Sequence, residues 1–214
     1  MDIIPSILTN SIEELHEMIE KCEGVVDRVQ IDVVDGVYAA NKTLDPLALK
    51  YVDTTLKIDF HLMVANPSSW LEKCASVGAD RVIAQIERMT SQEEFLQKAE
   101  LAGVSAGFAV DLATSMDALD KNLVSDLSVL LLMSVPAGFG GQKFDTRVYE
   151  KIKLANTLRE GDLSPCGICI DGGVDEENIS TLFKLKVDEV AVGKSFFDGN
   201  LNENLDILLR EAKA

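Results

Sequence analysis

The feature that most restricts this chain is an alternation. Eight short runs rich in aliphatic and β-branched residues are separated by stretches of helical periodicity or by turns. The strand-like runs are Asp2–Leu8, Arg28–Val34, Lys57–Val64, Arg81–Glu87, Ser105–Asp111, Leu127–Val135, Gly167–Asp171 and Val187–Val192. Helices are predicted between them at about Ile12–Cys22, Pro46–Val52, Asn66–Val77, Ser91–Ala102, Ser115–Leu123, Thr146–Arg159 and Asp175–Leu185, with a closing one at Asn202–Ala212. Strand–helix repeats of this kind build a parallel sheet, and eight of them close it into a (β/α)8 TIM barrel. An open doubly wound sheet would place its glycine-rich signature after the first strand, where this chain has Thr9-Asn10-Ser11. No linker or shift of composition interrupts the pattern, so residues 1–214 are expected to form a single domain.

Charge and composition exclude several classes of partner. The formal charge of −16 argues against nucleic acid and anionic membranes. It also requires any phosphate ligand to be held by local backbone N–H groups, against the field of the whole protein. The N-terminal stretch carries an Asp and lacks the pattern of a signal peptide, and no apolar run approaches the roughly 20 residues of a membrane span. The four cysteines, Cys22, Cys74, Cys166 and Cys169, are scattered, as in a reduced, cytoplasmic protein. Cys166 and Cys169 match CxxC, but residues three apart on a strand point to opposite faces, which favours buried thiols over a redox or metal pair. Of the two histidines, His16 sits on a helical surface pattern, so a site built from three histidines is excluded. A homo-oligomer stays open.

In a barrel the active site forms at the C-terminal ends of the strands. That rule gathers Ser6, Gln30, Asp32, His61, Met63, Gln85, Met133 and Asp171 into one mouth. Alternation puts Gln30 and Asp32 on one face of the second strand and Asp59, His61 and Met63 on one face of the third. Asp32 and Asp171, on the second and seventh strands, are expected roughly across the mouth from each other. Two carboxylates flanking a substrate suit removal of a proton from one face and its return to the other. The enediolate of a ketose needs a metal or hydrogen-bond donors, and His61 with the carboxylates offers a metal ligand set. Strand-end aspartates also serve as plain caps, and Met63 and Met133 as plain core. Three glycine turns follow the last three strands: Gly138, Gly140 and Gly141, then Gly172 and Gly173, then Gly193. Bare backbone at adjacent strand ends is suited to a phosphate.

Seven motifs occur in order: Pro5–Leu8 (PSIL), Ile31–Gly36 (IDVVDG), His61–Pro67 (HLMV with NP), Gly78–Asp80 (GAD), Leu131–Gln142 (LLMSV with GFGGQ), Ile170–Ile179 (IDGGV with NI) and Val192-Gly193. Together the set resembles the ribulose-phosphate 3-epimerase family along almost the whole chain. The resemblance implies a barrel enzyme that interconverts ribulose 5-phosphate and xylulose 5-phosphate, a phosphorylated ketose being its small-molecule partner. It implies Asp32 and Asp171 as the acid/base pair, both also on a divalent metal with His61, and Ser6 as a substrate contact. Met63 and Met133 would line the enediolate, and the glycine turns would hold the phosphate. The chain departs from the family pattern at Gln30, where a metal-binding His is usual. A neutral amide oxygen there favours Mg or Mn over Zn or Fe, or removes the metal altogether. Further departures are Val34, Gln85, Pro136-Ala137 and Lys194, the last either adding a cation to the phosphate site or pointing away from it. Three readings follow: the epimerase, on this or a different ketose phosphate, a non-catalytic sugar-phosphate-binding barrel, and a related lyase or decarboxylase. The third ranks last, since the Asp-x-Lys-x-x-Asp pattern of that neighbouring family is absent from Ile31–Gly36.

Overall fold

The computed structural model describes residues 1–160 and 165–214. Eight parallel strands close in sequence order, with β8 pairing back to β1. They are β1 (Asp2–Ile7), β2 (Arg28–Val34), β3 (Lys57–Met63), β4 (Arg81–Gln85), β5 (Ser105–Val110), β6 (Val129–Met133), β7 (Gly167–Asp171) and β8 (Glu189–Val192). Around them run α1 (Ile12–Cys22), α2 (Leu71–Ala75), α3 (Gln92–Ala102), α4 (Val148–Leu158), α5 (Ile179–Lys184), α6 (Lys194–Phe197) and α7 (Leu201–Ala212). The chain therefore forms the TIM barrel that its alternation predicts.

Strand alternation divides the apolar residues into two layers. Ile58, Phe60 and Leu62 of β3 face outward and join the large core between barrel and helices. Met63, Ile83, Ala109, Leu131 and Cys169 belong to a smaller core inside the barrel. Cys166 packs in the outer core and Cys169 in the inner one, so the CxxC thiols do lie on opposite sides of the sheet. All four cysteines are buried, and burial pushes the Cys22 and Cys74 thiols up to about 12. Helix α1 shows how a helix is tied on: Leu15, Ile19 and Cys22 form its buried stripe. The Ser11 side chain caps its first turn by accepting from the Glu14 N–H. His16 is exposed.

Several predicted boundaries move. The segment expected as a helix at Ser115–Leu123 is instead two 3₁₀ turns, Met116–Ala118 and Lys121–Asp126. Two caps lie too close together for one helix, because Ser115 accepts from the Asp117 N–H and Asp120 from the Asn122 N–H. The helix expected near Pro46–Val52 is a 3₁₀ helix, and the one expected at Asn66–Val77 starts as a 3₁₀ turn and becomes helical only at α2. Strand β6 is shorter than its apolar run, and strand β4 ends at Gln85. Helix α5 starts at Ile179 because the residues before it form a side-chain-bonded turn, with Asn178 Nδ2 donating to Asp175 Oδ1 and to the Gly173 carbonyl.

The lower barrel interior holds a buried ion network. Asp59, fully buried, pairs with Arg28 and accepts from Arg81 Nε at 2.9 Å, and Arg81 continues to Glu189 at 2.6 Å. Two residues further along β3, His61 occupies the layer above.

Candidate active site

A cavity of about 1150 Å³ opens at the C-terminal ends of the strands. Among its lining residues are Ser6, Asp32, His61, Met63, Met133 and Asp171 on the strands. The turns contribute Gly138, Gly140, Gly141, Gly172, Gly173, Gly193 and Lys194. The predicted mouth residues are thus brought to one place, except that Gln30 and Gln85 lie below its floor, 1% and 0% exposed.

The two aspartates do not face each other across the full mouth. They converge. Asp171 on β7 is separated from Asp32 on β2 by only β8 and β1, whose inward residues at this level are Ala191, paired with Asp171, and Ser6, paired with Gln30. These small side chains leave room for the carboxylates to approach. Gln30 Nε2 donates to Asp32 Oδ1 at 2.8 Å and to Asp171 Oδ2 at 2.7 Å. The His61 Nδ1 lies 3.2 Å from Asp32 Oδ1 and 3.3 Å from Asp171 Oδ2, and Ser6 Oγ donates to Asp32 Oδ2 at 2.7 Å.

Two residues that the sequence did not single out hold the aspartate backbones. Thr43, from the loop after β2, donates its hydroxyl to the Asp32 carbonyl and accepts from the Val34 N–H, both at 2.8 Å. Ser134, just after β6, donates its N–H at 2.8 Å and its hydroxyl at 3.0 Å to the Asp171 carbonyl. The motif containing Ser134 was noted, but its contact spans 37 positions in sequence. Lys143 also lines the cavity and carried no sequence signal beyond its charge.

The glycine turns are needed for packing as well as access. Gly172 has φ +113°, and a Cβ there would meet Val135 Cγ2 at 2.5 Å. Gly138 has φ +108°, and a Cβ would meet Ala39 at 2.5 Å. The loops after β2 and β6 therefore touch, and Asn41 Nδ2 joins them by donating to the Gly138 carbonyl at 2.8 Å.

Charge balance in the floor follows from these contacts. Burial pulls the His61 pKa down, but hydrogen bonds to Asp171 and Asp32 and the charges of both outweigh it and raise the pKa to about 9. The Asp171 carboxyl is held above the usual range, chiefly by burial and then by the Asp32 charge, against hydrogen bonds from His61 and Gln30. Asp32, His61 and Asp171 each offer a ligand atom, all within 4.8 Å of one another. Two carboxylates and an imidazole suit a divalent cation. On the far side of the ring, Gln85 Nε2 lies 3.2 Å from His61 Nε2, while Gln85 Oε1 has no hydrogen-bond partner among the described residues. Turned over, that amide oxygen would accept a hydrogen bond from Nε2–H and leave Nδ1 free to ligate, the usual support of a metal-binding histidine. These three side chains could ligate a metal, but the Gln30 nitrogen between the carboxylates presents hydrogens and no lone pair to it.

A barrel whose strand ends bring two carboxylates, an imidazole and glycine turns around one cavity at the C-terminal face has the arrangement of a barrel enzyme. Comparison narrows the class: the Ribulose-phosphate 3 epimerase family matches residues 2–197. Ribulose-phosphate 3-epimerase of Aquifex aeolicus (strain VF5) is 33% identical over 198 residues, covering 91% of this chain and 89% of that protein. The Bacillus subtilis (strain 168) ribulose-phosphate 3-epimerase is 32% identical over 202 residues, covering 91% of each. The chain belongs to the ribulose-phosphate 3-epimerase family, and it is an isomerase of that type. Among solved structures, 3-keto-L-gulonate-6-phosphate decarboxylase from Vibrio cholerae aligns with a TM-score of 0.73 at 11% identity, covering 100% of this chain and 97% of that one. At that identity the likeness is one of fold. Among the described residues no helix is long and apolar enough to cross a membrane.

Proposed function

We propose that the chain interconverts D-ribulose 5-phosphate and D-xylulose 5-phosphate by proton transfer at C3 through an enediolate. The observation that carries this reading is the convergence of Asp32 and Asp171, oxygens within 4.8 Å of a common imidazole, at the floor of a glycine-turned cavity.

One carboxylate removes the C3 proton and the other delivers a proton to the opposite face. Burial and the Asp32 charge raise the Asp171 carboxyl above its ordinary range, and the two aspartates act as base and acid in turn. The roles exchange for the reverse reaction. Ser6 keeps Asp32 oriented through its 2.7 Å hydrogen bond. Met63 and Met133, both nearly buried, give the reacting carbon an apolar wall that keeps water from the enediolate. The turns at Gly138–Gly141, Gly172-Gly173 and Gly193, with Lys194 beside them, receive the phosphate. Asp32, His61 and Asp171 would hold a divalent metal; when bound it supplies positive charge to the enediolate oxygens.

The test is C3 proton exchange of ribulose 5-phosphate in deuterated water, followed by NMR, on wild type and on Asp32→Asn and Asp171→Asn. Each replacement is expected to lower exchange by about 10²- to 10⁴-fold while circular dichroism and melting stay those of a folded barrel. Full turnover in both variants would sink the assignment. Tight binding of the sugar phosphate by wild type, with no exchange under any added metal, would move the reading to a binding barrel.

A further inference from the structure

Gln30 touches both carboxylates of the pair without lining the cavity. Its Nε2 lies 2.8 Å from Asp32 Oδ1, 2.7 Å from Asp171 Oδ2 and 3.5 Å from His61 Nδ1. A primary amide nitrogen has two hydrogens, and here there is one for each carboxylate. The side chain is 1% exposed, so bulk water does not compete for those bonds. Its place follows from the strand: Gln30 is two residues before Asp32 on the same face of β2 and is in register with Ser6 of β1. Like charges this close repel, and a shared donor between them lowers that cost and sets their orientation.

We propose that Gln30 is a positioning residue whose amide bridges Asp32 and Asp171 and so keeps the acid/base pair in working geometry with no cation bound. This rests on the two-base reading of the same site. A cation drawing on the same oxygens and on His61 would take lone pairs that now receive the amide hydrogens. It would also require Oε1, not Nε2, to face it. The bridge therefore weakens cation binding and makes the cation dispensable.

The experiment uses the intact chain as wild type, Gln30→His and Gln30→Leu, each analysed for metal content as purified and again after chelation. Zinc and manganese are titrated into the chelated proteins by calorimetry, and kcat and KM for C3 exchange are measured with and without them. Chelated wild type is expected to keep kcat within about tenfold of its metal-loaded value. In chelated Gln30→Leu, kcat should fall about 100-fold with KM changed by no more than about threefold, as for a misplaced catalytic group. Gln30→His should bind zinc at least about tenfold more tightly than wild type. Its chelated form should be inactive and be rescued by zinc, a recovery that a purely structural role would not produce.

Stoichiometric metal in purified wild type, with exchange abolished by its removal, would overturn the proposal. So would chelated Gln30→Leu exchanging as fast as wild type. If Gln30→Leu does not fold, the wild-type metal content and chelated activity decide alone. Absence of exchange in wild type both chelated and loaded would instead defeat the two-base reading itself.

Discussion

Asp59 and His61 point into the barrel from one strand, two residues apart, yet only the upper one reaches the cavity. Replacing Asp59 with alanine tests whether the lower layer serves the fold alone. The carboxylate is fully buried, and the Arg81 side chain that it pairs with is 7% exposed. Removing it leaves Arg81 with Glu189 and strips Arg28 of its buried partner. Breaking a buried pair from one side costs about 3–5 kcal/mol. For a chain of this length that corresponds to a fall in melting temperature of roughly 6–20 °C. Burial pushes the Asp59 carboxyl up despite both arginines, so desolvation consumes much of the attraction. Asp59→Asn, similar in shape and neutral, should therefore cost less, about 1–3 kcal/mol. Neither Asp59 nor its partners line the cavity, so kcat of the folded fraction should change by less than about threefold. Urea unfolding followed by circular dichroism measures the first effect and C3 exchange the second. A loss under about 1 kcal/mol for Asp59→Ala, or a larger loss for Asp59→Asn, would refute the reasoning.

Two further predictions concern the upper layer and the rim. The His61 pKa is raised to about 9 from 6.5, so its protonation stabilises the fold fully below pH 6.5, and that contribution fades as pH rises towards 9. In chelated protein the urea-derived stability should fall by about 3 kcal/mol over that window, and His61→Asn should lose most of the slope. Lys194 is exposed, lines the cavity beside Gly193, and stands in a protein of charge −16. Lys194→Ala should raise KM about three- to tenfold, with kcat within about twofold, and the difference should shrink in high salt. An unchanged KM at low salt would show that the side chain points away from the phosphate.

The barrel was legible because strands carry a period of two and repeat eight times, so an error in any one boundary leaves the topology intact. The misjudged helix at Ser115–Leu123 shows the limit of that signal. Apolar spacing there is compatible with a helix, but Ser115 and Asp120 each bond the backbone two residues on and divide the segment. The same effect shortens the start of α5, where Asp175 and Asn178 bond each other. Polar side chains that compete with the helix are visible in the sequence. Which of them prevails depends on packing that it does not show.

The site divides in the same way. Alternation puts Gln30 with Asp32 and His61 with Met63 on shared faces, and the strand-end rule adds Asp171, so their place in one mouth could be read. Their distances could not, because the approach of Asp171 to Asp32 depends on Ala191 and Ser6 being small on the intervening strands. Thr43 and Ser134 reach the aspartate carbonyls from loops 11 and 37 positions away, so no local pattern announces them. Gln30 is the sharpest case. As a residue type it offers an oxygen to a metal or a nitrogen to a carboxylate, and sequence cannot choose between them. Two carboxylates within 2.8 Å choose the nitrogen, since an amide oxygen facing both would add a third acceptor where none of the three can donate. Glutamine at this position thus gives the two carboxylates a shared hydrogen-bond donor.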